Sequence, residues 1–156
     1  MSAAPGLVAQ LEASLKHFKG TLSALEEADS GFAPRDGMFT VAAQVSHVAG
    51  TVDWFLEGAF GDGWDMDFAA HEAHSRAVGS LSEAVAHLER AYAAAIETLG
   101  SRPDEELFAP IDDPAIMGGA PRAAIVTGIV DHTAHHRGSL AVYIRLLGRV
   151  PAMPYA

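Results

Sequence analysis

Two of the eight histidines in this chain are spaced so that both could bind the same metal ion. His132 and His136 are four residues apart, and in a helix this spacing stacks both imidazole rings on one face, about one turn apart. The same face carries a set of mainly apolar residues, namely Ile125, Ile129, Leu140, Tyr143 and Leu147. The pair is therefore predicted to face the interior of the protein.

Buried imidazoles need partners, because a polar group that leaves water without a hydrogen bond or ligand is destabilising. A metal ion would satisfy His132 and His136 together, and the alternative is two core histidines that bond to backbone groups or water. A three-histidine site requires one more ligand from another helix, and His47 is the best-placed candidate. Three histidines leave coordination positions open for water or substrate, as catalytic sites require.

Four polar side chains lie within two helical turns of these histidines, namely Gln44, Thr51, Ser139 and Tyr143. The first two flank His47 by about one turn on either side, and the last two follow His136. We expect them to support the ligands or to contact a substrate. Arg137 and Arg145 could bind an anionic substrate such as a carboxylated thiol, and the alternative for both is surface ion pairing.

The other histidines are predicted not to bind the ion. His135 points roughly 100° away from its two neighbours on the helix, and Asp131, four residues earlier, is available to it as an ion-pair partner. The remaining four histidines lie in polar segments and are predicted to be solvated, namely His17, His71, His74 and His87.

The residue types restrict the metal and the chemistry. The chain has no cysteine, so thiolate ligands, disulfides and cysteine nucleophiles are all excluded. Three neutral imidazoles suit Zn²⁺, Ni²⁺ or Fe²⁺ better than Mg²⁺ or Ca²⁺. The sequence has neither the Glu-x-x-His pairs of di-iron bundles nor the His-Glu-x-x-His motif of zinc proteases.

The charge excludes further classes of function. The net charge is −10, with only ten lysines and arginines, so neither a nucleic acid nor an anionic membrane is an expected partner.

The first residues do not have the basic and apolar regions of a signal peptide. No apolar run approaches the roughly 20 residues that span a bilayer. A cytoplasmic location is therefore expected.

Four long helices are predicted to position the histidines within one all-α domain that spans residues 1–156. Apolar residues recur at steps of three and four from Leu7 to Leu25 and from Val78 to Leu99, which indicates the first and third helices. The third helix could begin anywhere between Asp67 and Gly79. Thr40 is expected to cap the second helix, which runs to about Phe60.

The last helix is predicted to begin near Pro121 and to end at about Leu147, where Gly148 can cap it. It follows a long connection at residues 101–120 that is rich in proline, glycine and aspartate, with one short turn around residues 105–108. Connections of this length often line a functional site.

A motif near the end of the chain, His-Thr-Ala-His-His-Arg-Gly at residues 132–138, precedes an apolar stretch at residues 140–148 and a proline-containing tail. Upstream, Thr40 lies seven residues before His47. The order and spacing of both motifs resemble those of the DinB/YfiT family, and the helical plan covers nearly the whole chain.

This resemblance implies a four-helix bundle that is usually dimeric and holds a divalent metal ion on three histidines. Carried over position by position, the ligands are His47, His132 and His136. The family includes thiol-dependent S-transferases and a thiol-dependent maleylpyruvate isomerase. The family often has glutamine after His-His-Arg-Gly, where this chain has Ser139.

Three hypotheses follow from the sequence. In the first, the chain is a metal-dependent enzyme that acts on a small molecule, of the thiol S-transferase or hydrolase type, with a low-molecular-weight thiol as a candidate substrate. In the second, it is a non-catalytic metal-binding module related to stress. In the third, it is a plain dimeric bundle whose core histidines bind no metal.

Overall fold

The computed structural model describes residues 2–155, and within them the chain forms α-helices and no β-strand. The α-helices are Ala4–Leu22 (α1), Val41–Phe60 (α2), Phe68–Ala77 (α3), Leu81–Ser101 (α4), Asp104–Phe108 (α5) and Ile125–Leu146 (α6). The predicted all-α class is confirmed. The four long helices α1, α2, α4 and α6 form the bundle, and α3 and α5 are short additions.

The predicted helix ends at Thr40 and Gly148 are both confirmed. The Thr40 Oγ1 atom accepts a hydrogen bond of 3.1 Å from the Ala43 N–H, which satisfies one of the free donors at the start of α2. At the end of α6, Gly148 adopts a positive φ of 79°, and the Arg149 N–H returns to the Ile144 carbonyl over 3.0 Å. This is the Schellman arrangement, which favours glycine because the left-handed conformation is strained for other residues.

The third and fourth predicted helices both begin later in the chain than predicted. The segment from Asp67 onward is a separate helix, α3, and α4 begins only at Leu81, where the Ser80 hydroxyl accepts from the Glu83 N–H. At the other connection, residues 122–124 form a 3-10 turn before α6 begins at Ile125. The first helix ends earlier than predicted, since Leu25 lies beyond the end of α1 and is nevertheless buried.

The first two long helices, α1 and α2, are not neighbours in the bundle, and neither are the last two, α4 and α6. Both α1 and α2 pack against α4 and α6, which places α1 diagonally across from α2, and α4 diagonally across from α6. The first turns of α2 and α4 meet at Ser30, whose carbonyl accepts from the Ala42 N–H and whose hydroxyl accepts from the Leu81 N–H. These two helices therefore run parallel, and the chain needs a crossover connection between them. That connection contains α3, which packs on α2.

Helices α2 and α6 are neighbours that run in opposite directions. Gln44 and Ser139 are in contact near one end of the pair, and Phe55 lies against Gly128 near the other. Between these contacts, the side chains of α2 and α6 face each other in the middle of the bundle. This arrangement is what brings His47 opposite the two histidines of α6.

The core is mainly aliphatic, with large fully buried side chains from all four long helices: Leu11, Phe18, Val41, Val45, Leu88, Tyr92, Leu99, Ile125, Ile129, Leu140 and Ile144. One buried polar group of three residues, the Tyr92 cluster, consists of Ser14, Tyr92 and Thr133. The Tyr92 hydroxyl lies 2.9 Å from the Ser14 hydroxyl and 2.8 Å from that of Thr133. It links α1, α4 and α6 through hydrogen bonds in the interior.

Within residues 2–155, no helix combines the length and the apolar character that a bilayer crossing requires.

Candidate metal centre

The packing of α2 against α6 brings His47, His132 and His136 together, and we call these three residues the histidine cluster. One ligand atom from each ring lies within 4.8 Å of the others. The Nε2 atoms of His132 and His47 are 3.1 Å apart. Nitrogen ligands on one tetrahedral zinc ion, each at about 2.0–2.1 Å, lie roughly 3.3–3.4 Å from one another. The cluster is therefore close to the spacing that a single metal ion needs.

A buried nitrogen in this cluster has no hydrogen-bond partner in the part of the chain that the structure describes. His136 is 8% exposed, and its Nδ1 atom is buried without a hydrogen bond from any described residue. A buried polar atom left in this state costs about 1–3 kcal/mol. The donor set, three imidazoles with one unsatisfied buried nitrogen, therefore fits a bound metal ion better than it fits a set of satisfied core histidines.

All three histidines are neutral at pH 7. Burial, together with the positive charge of neighbouring histidines in their protonated form, lowers the pKa of His132 to about 4 and that of His136 to about 3. Burial also lowers the pKa of His47, against the opposing effect of Glu72. Because a metal binds the unprotonated imidazole, the cluster is in the ligating form over the physiological pH range.

The ring of His47 is fixed by its surroundings on α2 and on the loop before it. The Phe39 ring stacks on it, with the centroids 5.2 Å apart and the planes at 26°. The Tyr143 hydroxyl donates to the Phe39 carbonyl over 3.0 Å, and the guanidinium of Arg76 lies 4.4 Å from the centroid of the Phe39 ring. Phe39 is therefore clamped on two sides, and it limits the rotation of His47.

Gln44 and Ser139, two of the predicted supporting residues, contact each other directly. The Gln44 side-chain amide donates to the Ser139 hydroxyl over 2.9 Å, which connects α2 to α6 one turn beyond the histidines. Gln44 is buried, and its Oε1 atom has no hydrogen-bond partner among the described residues. The side-chain amide beside Ser139 is therefore that of Gln44 on α2, and the Ser139 hydroxyl on α6 accepts its hydrogen bond.

A cavity of about 560 Å³ lies on the other side of the histidine cluster. His47 and His132 form part of its wall, as does Thr51, whose hydroxyl donates to the His47 carbonyl over 2.9 Å. The rest of the wall comes largely from α2, α3 and α6, with aromatic and acidic side chains: Phe39, Trp54, Phe55, Phe68, Glu72 and Asp131. A ligand in this cavity would lie directly against two of the three histidines.

With the geometry established, comparison with known proteins gives the family. The DinB superfamily model matches residues 10–140, a range that includes all three histidines. The chain belongs to the DinB superfamily. A search of curated proteins found no match. The resemblance expected from the histidine motifs is thereby confirmed.

In this DinB superfamily member, His135 and the two arginines of α6 lie away from the cavity. His135 is exposed and lies edge-on to His136, with the ring centroids 5.0 Å apart. Within the described residues, it forms no ion pair with Asp131. Arg137 lies over the Tyr155 ring, and Arg145 donates to the carbonyl of Ala141 one turn earlier. Neither arginine is placed to bind an anion beside the histidine cluster, contrary to the expectation from the sequence. The alternative, a surface ion pair, is also not formed by either arginine within residues 2–155.

Two of the histidines predicted to be solvated lie beside carboxylates. The Nε2 atom of His87 lies 2.6 Å from the Asp53 carboxylate, and that of His71 lies 3.2 Å from the Asp65 carboxylate. These partners are distant in the chain or lie outside the helix, so helical spacing could not reveal them.

The α3 wall of the cavity was missed by the sequence analysis. The face of α3 that lines the cavity includes residues at helical positions i, i+3, i+4 and i+7, namely Phe68, His71, Glu72 and Ser75. This periodicity was the available signal, but the segment was interpreted as the possible beginning of the third predicted helix and not as a separate helix. Phe39 was missed because it lies in a loop, where no periodicity applies.

Proposed function

We propose that this DinB superfamily protein binds one divalent metal ion through His47, His132 and His136, and that it is a metal-dependent enzyme acting on a small molecule. The proposed reaction class is thiol S-transfer or hydrolysis. The observation that carries the proposal is the convergence of three neutral imidazoles next to an open cavity, where the buried Nδ1 atom of His136 has no hydrogen-bond partner among the described residues. A purely structural cluster would not need that cavity.

The ligand set favours Zn²⁺, Ni²⁺ or Fe²⁺, because imidazole is a ligand of intermediate softness. When bound, such an ion would supply Lewis-acid chemistry, which activates a thiol or water and polarises an electrophile. The chain's own residues then have three tasks. His47 and His132 present the ion to the cavity, Phe39 holds the His47 ring, and the aromatic wall excludes water from the reacting groups.

Supporting roles are proposed for the four polar residues near the ligands. Thr51 is the one on the cavity wall, so it is the candidate for substrate contact. Gln44 and Ser139 join the two ligand-bearing helices, and Tyr143 holds the backbone of Phe39. We expect these last three to tune the position of the ligands, as outer-shell partners do at other metal sites.

The first test is metal analysis of protein purified without chelator, comparing wild type with His132→Ala and His135→Ala. We expect about one metal ion per chain in wild type and in His135→Ala, and little in His132→Ala. His135→Ala is the matched control because it removes an exposed histidine from the same turn of the same helix. Low metal content in wild type that is unchanged in His132→Ala would contradict the metal site.

The second test addresses catalysis. The metal-loaded protein is given a panel of low-molecular-weight thiols together with epoxide or maleyl acceptors, and product formation is compared with that of the chelated protein. Metal-dependent turnover with at least one thiol supports the enzyme. Full metal occupancy without turnover on any combination would favour the non-catalytic metal-binding module.

We also propose that the chain is a homodimer. Val142 and Leu146 are exposed apolar residues one turn apart on α6, and the tail that follows exposes two more apolar residues, Val150 and Met153. Apolar surface of this kind is common at subunit interfaces. Sedimentation equilibrium should give twice the chain mass, and a monomer at micromolar concentration would contradict the proposal.

A further inference from the structure

We infer that the cavity beside the histidine cluster receives a flat apolar part of the substrate, and that this part is uncharged or positively charged. The inference rests on the proposed function, since it names the substrate class of the same site. Its volume of about 560 Å³ lies within the range of roughly 300–1,000 Å³ that small-molecule sites occupy.

Aromatic rings dominate the cavity wall. Trp54 lies edge-on to Phe55 with the centroids 5.0 Å apart, and Phe68 lies 5.8 Å from Trp54 across the gap between α2 and α3. A Cβ atom at Gly128 would come within 2.6 Å of the Phe55 ring, so glycine at this position lets that ring lie against α6. Several rings at different angles offer both faces and edges, which suits a flat apolar group more than a flexible polar one.

The charges on the wall are negative. Glu72 and Asp131 line the cavity, and the described residues that line it include neither lysine nor arginine. Arg76 lies nearby, but its Nε atom donates to the Glu72 carboxylate over 2.8 Å and so offsets that charge. Asp131 therefore sets the net charge of the wall.

These charges determine which ligands the wall accepts. A carboxylate or phosphate carried on the part of the substrate within the cavity would meet Asp131 without a compensating cation. A positive group would instead be attracted to Asp131 and to the aromatic faces, where cation–π contacts contribute. An anionic atom, such as a thiolate, would have to lie at the histidine end, where the proposed metal ion binds.

The test is direct binding of three small probes to the metal-free protein, which requires no turnover. Benzylammonium, benzyl alcohol and phenylacetate carry the same ring with a positive, neutral or negative group. Trp54 lines the cavity and is one of two tryptophans in the chain, so its fluorescence reports binding. In low-salt buffer we expect benzylammonium to bind about five- to tenfold more tightly than phenylacetate, with benzyl alcohol between them.

Two variants separate the apolar contribution from the charge. Phe68→Ala should weaken all three probes by a similar factor of about two to ten, whereas Phe108→Ala should change none of them. Phe108 is the matched control because both phenylalanines are 55% exposed and only Phe68 lines the cavity.

Asp131→Asn should reduce the preference for the cation to about twofold. Glu97→Gln, which removes an exposed carboxylate of α4, should leave this preference intact.

Three results would overturn the inference: phenylacetate binding as tightly as benzylammonium, no binding of any probe at millimolar concentration, or equal effects of Phe68→Ala and Phe108→Ala. A metal titration of the same preparations keeps this failure distinct from that of the proposed function. Metal binding without the expected probe order rejects the substrate class alone, and the expected probe order without metal binding rejects the metal site alone.

Discussion

The bundle contains two buried polar clusters that share helix α6 but differ in how their hydrogen bonds are satisfied. In the Tyr92 cluster, the hydroxyl of Tyr92 has partners on both sides, from Ser14 and Thr133. In the histidine cluster, the Nδ1 atom of His136 has none among the described residues. Thr133 and His132 are adjacent in the sequence of α6. One face of this helix therefore contributes to the Tyr92 cluster, a closed network in which the central hydroxyl has its partners, and another face contributes to the histidine cluster, an open network in which a buried nitrogen lacks one among the described residues.

The difference shows how to distinguish a structural polar cluster from a binding site. A closed hydrogen-bond network stabilises the fold by itself, because every buried donor and acceptor has a partner. An open network lowers the stability of the empty protein and recovers that loss when a ligand supplies the missing partner. The two clusters should therefore respond oppositely to metal and to the removal of polar atoms.

The largest effect should come from adding metal. At a free metal concentration of 100 times the dissociation constant, the free energy of unfolding should rise by about 2.7 kcal/mol. Chemical denaturation with and without Zn²⁺ measures this, and Ni²⁺ can be tested in parallel. The gain should vanish in His136→Ala and persist in Thr133→Val, and a gain that survives in His136→Ala would place the metal elsewhere.

The next effect should come from opening the closed network. Tyr92→Phe removes the hydroxyl that joins Ser14 to Thr133, and should lower the free energy of unfolding by about 1–3 kcal/mol, whether or not metal is present. Thermal unfolding with and without metal checks both statements. If Tyr92→Phe changed the metal response, the two clusters would be coupled and the comparison would fail.

Acid should destabilise the chelated protein through the histidine cluster. The pKa of His132 is about 4 and that of His136 about 3 in the folded state, below the ordinary value of 6.5. The unfolded chain therefore binds more protons at intermediate pH, so the stability present above pH 6.5 is lost as the pH falls toward these values. From pH 6.5 to 5.5 we expect a loss of about 2 kcal/mol, with about 1 kcal/mol from each of the two histidines.

Denaturation curves at several pH values measure this loss. Replacing both His132 and His136 with leucine should flatten the dependence in this range, whereas Tyr92→Phe should leave its slope unchanged, since burial raises the pKa of Tyr92 above its usual value of 10.0. A slope that is the same in the double-leucine variant would assign the pH dependence to other groups.

The smallest effect should come from removing the unpartnered nitrogen. His136→Leu replaces a buried imidazole by an apolar side chain of similar size, so the metal-free variant should be as stable as wild type or up to about 1 kcal/mol more stable. Chemical denaturation in the presence of chelator makes this comparison. A loss of more than about 2 kcal/mol would show that His136 has a satisfied structural role like that of Tyr92.

Much of the fold and of the histidine cluster could be predicted from sequence because the signals are local. Helical periodicity and the Thr40 cap fix the start of α2, and the four-residue spacing of His132 and His136 places both rings on one face whatever the neighbouring helices do. Capping residues and histidines four residues apart interact within one or two turns of the same helix. These features can therefore be predicted without knowing how the helices pack.

The cavity could not be predicted in the same way. Phe39, Phe68 and Asp131 come from a loop and two helices, and their proximity depends on the crossover that carries α3 over α2. The contact between Gln44 and Ser139 spans 95 residues of sequence. Such pairs follow from the order in which the helices pack, and no local pattern encodes that order.

By itself, the sequence determined the four long helices, the caps at Thr40 and Gly148 and the shared face of His132 and His136, because backbone hydrogen bonding and side-chain spacing act over a few residues. Tertiary structure alone decided that α2 lies antiparallel beside α6, that a buried nitrogen of His136 has no partner within residues 2–155, and that the wall next to the cluster is aromatic and acidic. These properties arise from burial and from contacts between distant segments, which exist only once the bundle has packed.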